Sequence, residues 1–211
     1  MRAAVVGHNE WLTFGHVDRI PGPGEIAHAD DAWEAPAGGG SVAAVQLAKL
    51  AGGCAFFTAV GGDELGRRTR DELEALGPTV HAAVREAPTR RAVALIEPGG
   101  ERTITTLGVR LEPRGDDALP WGELRDADAV FVTAGDPAAF RAARAARLLV
   151  VTARALDQLA GRRGRGGRRR SGSATDLAER RPDALLEPPA LLVRTAAPAA
   201  VVPCIMDSAG G

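Results

Sequence analysis

Apolar residues gather in short runs separated by polar, glycine-bearing and proline-bearing stretches, and the spacing inside each run predicts its structure. Residues 2–7 (RAAVVG), 54–60 (CAFFTAV), 128–134 (DAVFVTA) and 148–153 (LLVVTA) are apolar without alternation, as expected of strands covered on both faces. Between them, apolar positions return at helical spacing. Val42, Val45, Leu47 and Ala48 suit a largely buried helix over 41–50. Leu65, Thr69, Leu73 and Leu76 share one face of a second helix, with Asp63 as its cap and Gly77-Pro78 as its stop. Asp136-Pro137 has the form of an N-cap and first helical residue, and Arg141, Arg144 and Arg147 behind it read as a solvated stripe. Strands alternating with helices predict a mainly parallel α/β sheet. A β-like stretch at about 24–35 and a hairpin over 90–108, turning at Pro-Gly-Gly, interrupt that rhythm and predict a small accessory sheet.

The pattern changes near residue 160. Residues 161–170 (GRRGRGGRRR) hold six arginines among four glycines, with no apolar residue where the rhythm predicts another strand. Ordinary sequence resumes at Ser171, with an apolar LLVRT at 191–195, and residues 196–211 show no periodicity. Three readings of the arginine run stay open: a solvated loop, an RNA-binding segment working through phosphate charge and stacking, or a lost strand read out of frame. The run lacks the interleaved aromatic residues that the second would use.

Composition narrows the class. A chain of 211 residues, 45% apolar and 25% charged, is a single globular domain by default. A net charge of −1 gives it no overall attraction to nucleic acid or a membrane surface. Cys54 and Cys204 lack metal-ligand spacing, and Cys54 lies in an apolar run, as a buried thiol does. No run has the length of a signal peptide or membrane span, so a cytoplasmic protein is expected.

The candidate chemistry begins at 36–52, PAGGGSVAAVQLAKLAG. Glycines opening a helix suggest a phosphate cradle, but the loop fits neither the dinucleotide fingerprint nor the P-loop, which needs a closing Lys-Ser/Thr pair. Alone it also fits a tight turn that lets a helix pack closely. Its surroundings carry more. The loop and helix are followed by FFTAVGGDELG, in which Val60, Gly61, Asp63 and Gly66 complete V-G-x-D-x-x-G. Thr89 then precedes an apolar strand, and GERTI spans 100–104. Together these resemble the N-terminal half of the PfkB/ribokinase family of carbohydrate kinases, over almost all of 2–160 and in broken form over about 171–195.

The resemblance implies a single ribokinase-like domain over 1–211: a Rossmann-like three-layer α/β/α core with a mainly parallel sheet, and a small β-sheet lid formed by about 24–35 and 90–108. Its C-terminal part is expected to be incomplete. It implies transfer of the ATP γ-phosphoryl group, with Mg²⁺, to a hydroxyl of a sugar or related alcohol, and a homodimer through the lid. Gly38, Gly39, Gly40 and Ser41 would approach the acceptor, and Glu10 is the acid nearest the position where the family carries an aspartate. The family's asparagine after the glycine loop is replaced by Val42 or Ala43. On the nucleotide side, Ser173 and Asp176 stand where the family has N-x-x-E, and Thr195 ends the strand before the family's T-x-G. The family's G-A-G-D motif, with its general base, has two partial counterparts, residues 133–136 and 207–211. The first reads as a helix cap, and no helix follows the second. The expectation is therefore a family member without a catalytic residue of its own. A non-catalytic module that binds sugar, or RNA through the Arg-Gly run, is the alternative.

Overall fold

The computed structural model describes residues 1–152 and 155, together with the backbone of 169–173 and 191–195. Its centre is a seven-stranded sheet of order β11-β10-β9-β8-β1-β4-β5, in which every pairing is parallel. The strands are β1 Ala3–Val6, β4 Cys54–Gly61, β5 Thr79–Arg85, β8 Ala129–Val132, β9 Leu148–Thr152, β10 Arg169–Ser173 and β11 Leu191–Thr195. Alternate residues of β1 and β4 serve opposite faces. Val5 and Phe56 join Val45 of α1 (Gly39–Ala51) and Leu73 of α2 (Glu64–Ala75). Val6 and Phe57 join Val132 and Phe140, the latter on α3 (Pro137–Ala143), and a short 3-10 turn over Trp121–Asp126. With both faces buried, these strands need no polar alternation, which is why they read as continuous apolar runs. The three-layer α/β/α architecture follows.

The second sheet has order β3-β2-β6-β7, from β2 Glu10–His16, β3 Asp31–Ala37, β6 Arg91–Ile96 and β7 Arg102–Leu107. The hairpin expected over 90–108 is β6 and β7, paired antiparallel. The other lid strand is corrected: the stretch expected at about 24–35 forms β3 only from Asp31, and it runs on to Ala37. One of the sheet's two inner strands is β2, which the sequence pattern did not reveal. Pro36 suits this position because β3 is an edge strand, where a missing N–H costs no ladder bond. Trp11 of β2 is fully buried and lies under the guanidinium of Arg68 on α2, 4.3 Å from ring centroid to Cζ, which seats the lid sheet on the core.

The arginine run meets the structure at one end. Arg169 and Arg170 begin β10, between β9 and β11, where the rhythm called for a strand. This strand is defined by backbone pairing and had no apolar signature to announce it. Residues 161–168 and 196–211 lie outside the described residues, and with them the readings of those segments.

Residues Gly61, Asp63, Gly66 and Thr89 form a knot that fixes where the chain turns from core to lid. Asp63 caps α2 by accepting from the Gly66 N–H at 2.9 Å, and accepts from the Thr89 hydroxyl at 2.6 Å and the Thr89 N–H at 2.9 Å. The Thr89 hydroxyl in turn accepts from the Gly61 N–H at 3.1 Å. A Cβ on Gly61 would strike the Thr89 backbone, and one on Gly66 the Gly61 carbonyl, so both positions require glycine. Burial pushes the Asp63 carboxyl toward its neutral form, but the hydrogen bonds from Thr89 and Gly66 outweigh that and hold it below its ordinary value of 3.8.

Two outcomes follow for urea unfolding. Asp63→Ala should lose about 2–3 kcal/mol, a cap plus the donors it strands; an unchanged midpoint would contradict the knot. Because the folded carboxyl titrates below the unfolded one, its contribution is complete above about pH 4 and is lost as pH falls through the folded value. Asp63→Asn should therefore flatten the acid limb of the stability profile.

Candidate functional site

The order of strands determines where a site can form. From β1 the chain crosses to β4 on one side of the sheet and later returns to β8 on the other, so β1 lies at the switch point, where a crevice opens beyond the carboxyl ends of the strands. Three stretches meet there: residues 7–10 leaving β1 for the lid, Gly38–Gly40 returning from the lid into α1, and Thr133 following β8. The Gly7 N–H donates to the Phe57 carbonyl at 3.0 Å, and the Thr133 N–H to that of Val6 at 2.9 Å. Asn9 is buried and donates to the Thr58 hydroxyl and the Ala59 carbonyl, anchoring the departing chain.

The glycine turn is built by close approach. Gly38 takes φ 89°, a left-handed conformation favouring glycine, directly before the helix. The Gly40 N–H donates to the His8 carbonyl at 3.1 Å, so it is spent on the fold rather than held out to a ligand. A Cβ on Gly40 would lie 2.6 Å from that carbonyl oxygen and 2.9 Å from the Phe56 ring. Gly39 is exposed, with room beside it: a Cβ there would meet His8 at 3.6 Å and Thr133 at 3.7 Å.

Of the acceptor-side residues expected from sequence, the structure brings Glu10, Gly38 and Gly39 together at the crevice. Gly40 and Ser41 belong to the same turn but are buried, and the Ser41 hydroxyl has no hydrogen-bond partner. Glu10 does not stand alone. Its Oε1 is 3.0 Å from Nη1 of Arg90 and 3.9 Å from Nε2 of His8. Arg90 also donates through Nη2 to the Thr106 hydroxyl on β7 at 2.6 Å. Sequence reading missed Arg90, His8 and Thr133. Arg90 directly follows Thr89 of the knot, and that adjacency was the available signal.

Asp136 has the capping role expected of it. It accepts from the Ala139 N–H at 2.7 Å and from the Gly115 N–H at 2.9 Å, and so closes α3 and holds the chain returning from the lid. Ser173 and Thr195, expected from the resemblance to face the nucleotide, are register partners at the carboxyl ends of β10 and β11, on the same edge of the sheet as the crevice. Asp176 lies outside the described residues. Among the described residues no group of three or more His, Cys, Asp or Glu is placed to hold a metal ion, and no helix is long and apolar enough to cross a membrane. A separate cleft, lined by Arg2, Gly53, Cys54, Thr79, Glu123 and Asp126 among others, lies at the opposite, amino-terminal edge of the strands, away from every residue just described. Burial pushes the Cys54 thiol there up to about 12, so it stays protonated.

Residues 2–159 match the family described as pfkB family carbohydrate kinase. The chain belongs to this family. Solved pfkB-like structures share its fold at low identity. Ribokinase from Thermotoga maritima is 20% identical with a TM-score of 0.62, the match covering 82% of this chain and 59% of that one. Arabidopsis thaliana ribokinase, solved with ribose and ATP, is 20% identical at TM-score 0.61, covering 84% and 62%. Adenosine kinase from Sinorhizobium meliloti is 16% identical at TM-score 0.64, covering 84% and 65%. The pfkB chain described here thus spans less than two thirds of the length of these structures. No curated protein sequence matches it.

Gly39 and Gly40 should respond differently to substitution. Gly40→Ala should cost about 1–3 kcal/mol, because the His8 carbonyl is backbone and cannot move aside. Gly39→Ala meets only ordinary contacts and should stay within roughly 0.5 kcal/mol of wild type in chemical denaturation. Equal effects at the two positions would refute the packing described.

Proposed function

We propose that this pfkB chain forms the acceptor side of a carbohydrate kinase site, in which a sugar or related alcohol lies over the Gly38–Gly39 turn beneath the lid and ATP supplies the phosphoryl group. The observation that carries the reading is the position of that turn. It stands at the switch point of a parallel sheet, beyond the carboxyl ends of the strands, with Glu10, Arg90 and His8 beside it. An exposed glycine lets an oxygen-rich ligand approach the backbone, and a helix N-terminus favours such a ligand.

For the nucleotide, the matching placement is Ser173 beside Thr195 on the same strand edge, with Asp176 to follow; these would hold phosphate and its Mg²⁺. Phosphoryl transfer relies mainly on positioning and electrostatic stabilisation, with a base to take the acceptor proton. Neither described carboxylate near the turn is placed to act as that base. Glu10 is paired with Arg90, and Asp136 is occupied as a cap. We therefore infer that residues 1–211 by themselves bind an acceptor without phosphorylating it.

Calorimetry with pentoses, hexoses and nucleosides should detect binding of at least one of them. Gly39→Val, which fills the space over the turn, should weaken that binding at least about tenfold while the fold persists. If no sugar or nucleoside binds, or Gly39→Val leaves binding unchanged, the site assignment falls. Turnover with ATP and Mg²⁺ by the purified chain would overturn the inference of inactivity.

A further inference from the structure

We propose that the Glu10–Arg90 pair sets the charge of the ligand that the crevice accepts: it admits an uncharged hydroxyl-bearing end and turns away an anionic one. This rests on the acceptor-site reading above and specifies its ligand. A guanidinium at the mouth of a glycine turn would by itself be a ready anion ligand, since it is always charged and forks onto phosphate or carboxylate. Here two of the guanidinium's three nitrogens are already engaged, while Nε is buried without a hydrogen-bond partner. Nη1 of Arg90 faces Glu10 Oε1 at 3.0 Å and Nη2 donates to Thr106 at 2.6 Å. The two side chains are only 13% and 10% exposed.

The pairing is fixed by the backbone. The Trp11 N–H donates to the Arg90 carbonyl at 2.8 Å, and from there β2 and β6 run parallel in register, Trp11 opposite Arg91. Glu10 and Arg90 therefore emerge side by side at the root of the lid. An anion entering this crevice would have to take the guanidinium from the Glu10 carboxylate in a poorly solvated setting, where breaking an ion pair is costly. A neutral hydroxyl meets no such penalty and can donate to a carboxylate.

Inorganic phosphate titrated into the full chain at constant ionic strength, with thermal unfolding as readout, tests the pair without requiring turnover or a known sugar. Wild type should show no phosphate-dependent rise in its midpoint. Glu10→Ala, which exposes the guanidinium, should gain a rise of roughly 3–6 °C at tenfold excess of phosphate over its dissociation constant. Glu10→Ala combined with Arg90→Gln should lose it. Should the alanine variant fail to fold, the near-isosteric Glu10→Gln carries the same expectation. A phosphate response in wild type, or none in a folded Glu10 variant, overturns the proposal. A second arm compares ribose with its phosphate ester on wild type by calorimetry; tighter binding of the ester also overturns it. Absence of binding by both sugars counts against the acceptor-site reading, while the phosphate arm still decides the role of the pair.

Discussion

The structure depends on one crossing of backbones, where the chain leaving β1 for the lid passes beneath the first turn of α1. The His8 carbonyl accepts from Gly40 there, and no side chain fits between the two segments. Contact this close has consequences in both directions. It fixes the root of the lid against the core sheet, because β2 begins at Glu10 and β3 ends at Ala37 on either side of the crossing. It also sets the adjoining Gly38–Gly39 turn beside Glu10, with Gly39 exposed and open to a ligand. One steric requirement thus accounts for both the joint and the crevice.

The knot around Asp63 does the equivalent work at the second excursion into the lid, between β5 and β6. Its residues carry much of the family resemblance, yet their chemistry is structural. The carboxylate satisfies three donors, and the two glycines clear space for each other's neighbours. By fixing Thr89 the knot also fixes Arg90, the next residue, and through it the charge beside the glycine turn. A second ion pair, Arg85 forked onto Asp117 at 2.6 and 2.7 Å, secures the chain that returns from β7. The lid root is held at each passage by polar contacts, which are directional and so define a position more narrowly than apolar packing does.

How much of this was legible in the sequence followed from burial. Strands buried on both faces, β1 and β4, and strands buried on one face and partly covered on the other, β8 and β9, declared themselves as apolar runs, and α2 by its cap and apolar stripe. Besides β10, two strands gave no such signal. In β2, Glu10, Thr13, Gly15 and His16 interrupt the apolar residues, and its burial comes from the fold: Trp11 is covered by Arg68, and Phe14 stacks on Trp33 at 5.1 Å. β5 is an edge strand, paired only to β4 and half exposed, so its composition is mixed. The glycine turn was found from its residues. Arg90 was not, because its pair with Glu10 spans 80 positions of sequence and exists only once β2 and β6 are aligned.

That pair bears on which edge of the sheet serves function. A nearly buried ion pair typically adds little net stability over apolar residues of the same volume, since desolvation offsets most of the attraction. Stability alone therefore gives no account of a glutamate and an arginine at the root of the lid, where Leu12 and Ala92 just beyond them are buried and apolar. The cleft at the opposite edge has volume but no comparable arrangement: its cysteine is protonated and sits among strand beginnings. At the carboxyl edge, a fixed charge pair, an exposed glycine backbone and the switch point of the sheet coincide. Three features with separate structural causes converging on one crevice argue more strongly for a binding site than cavity volume does.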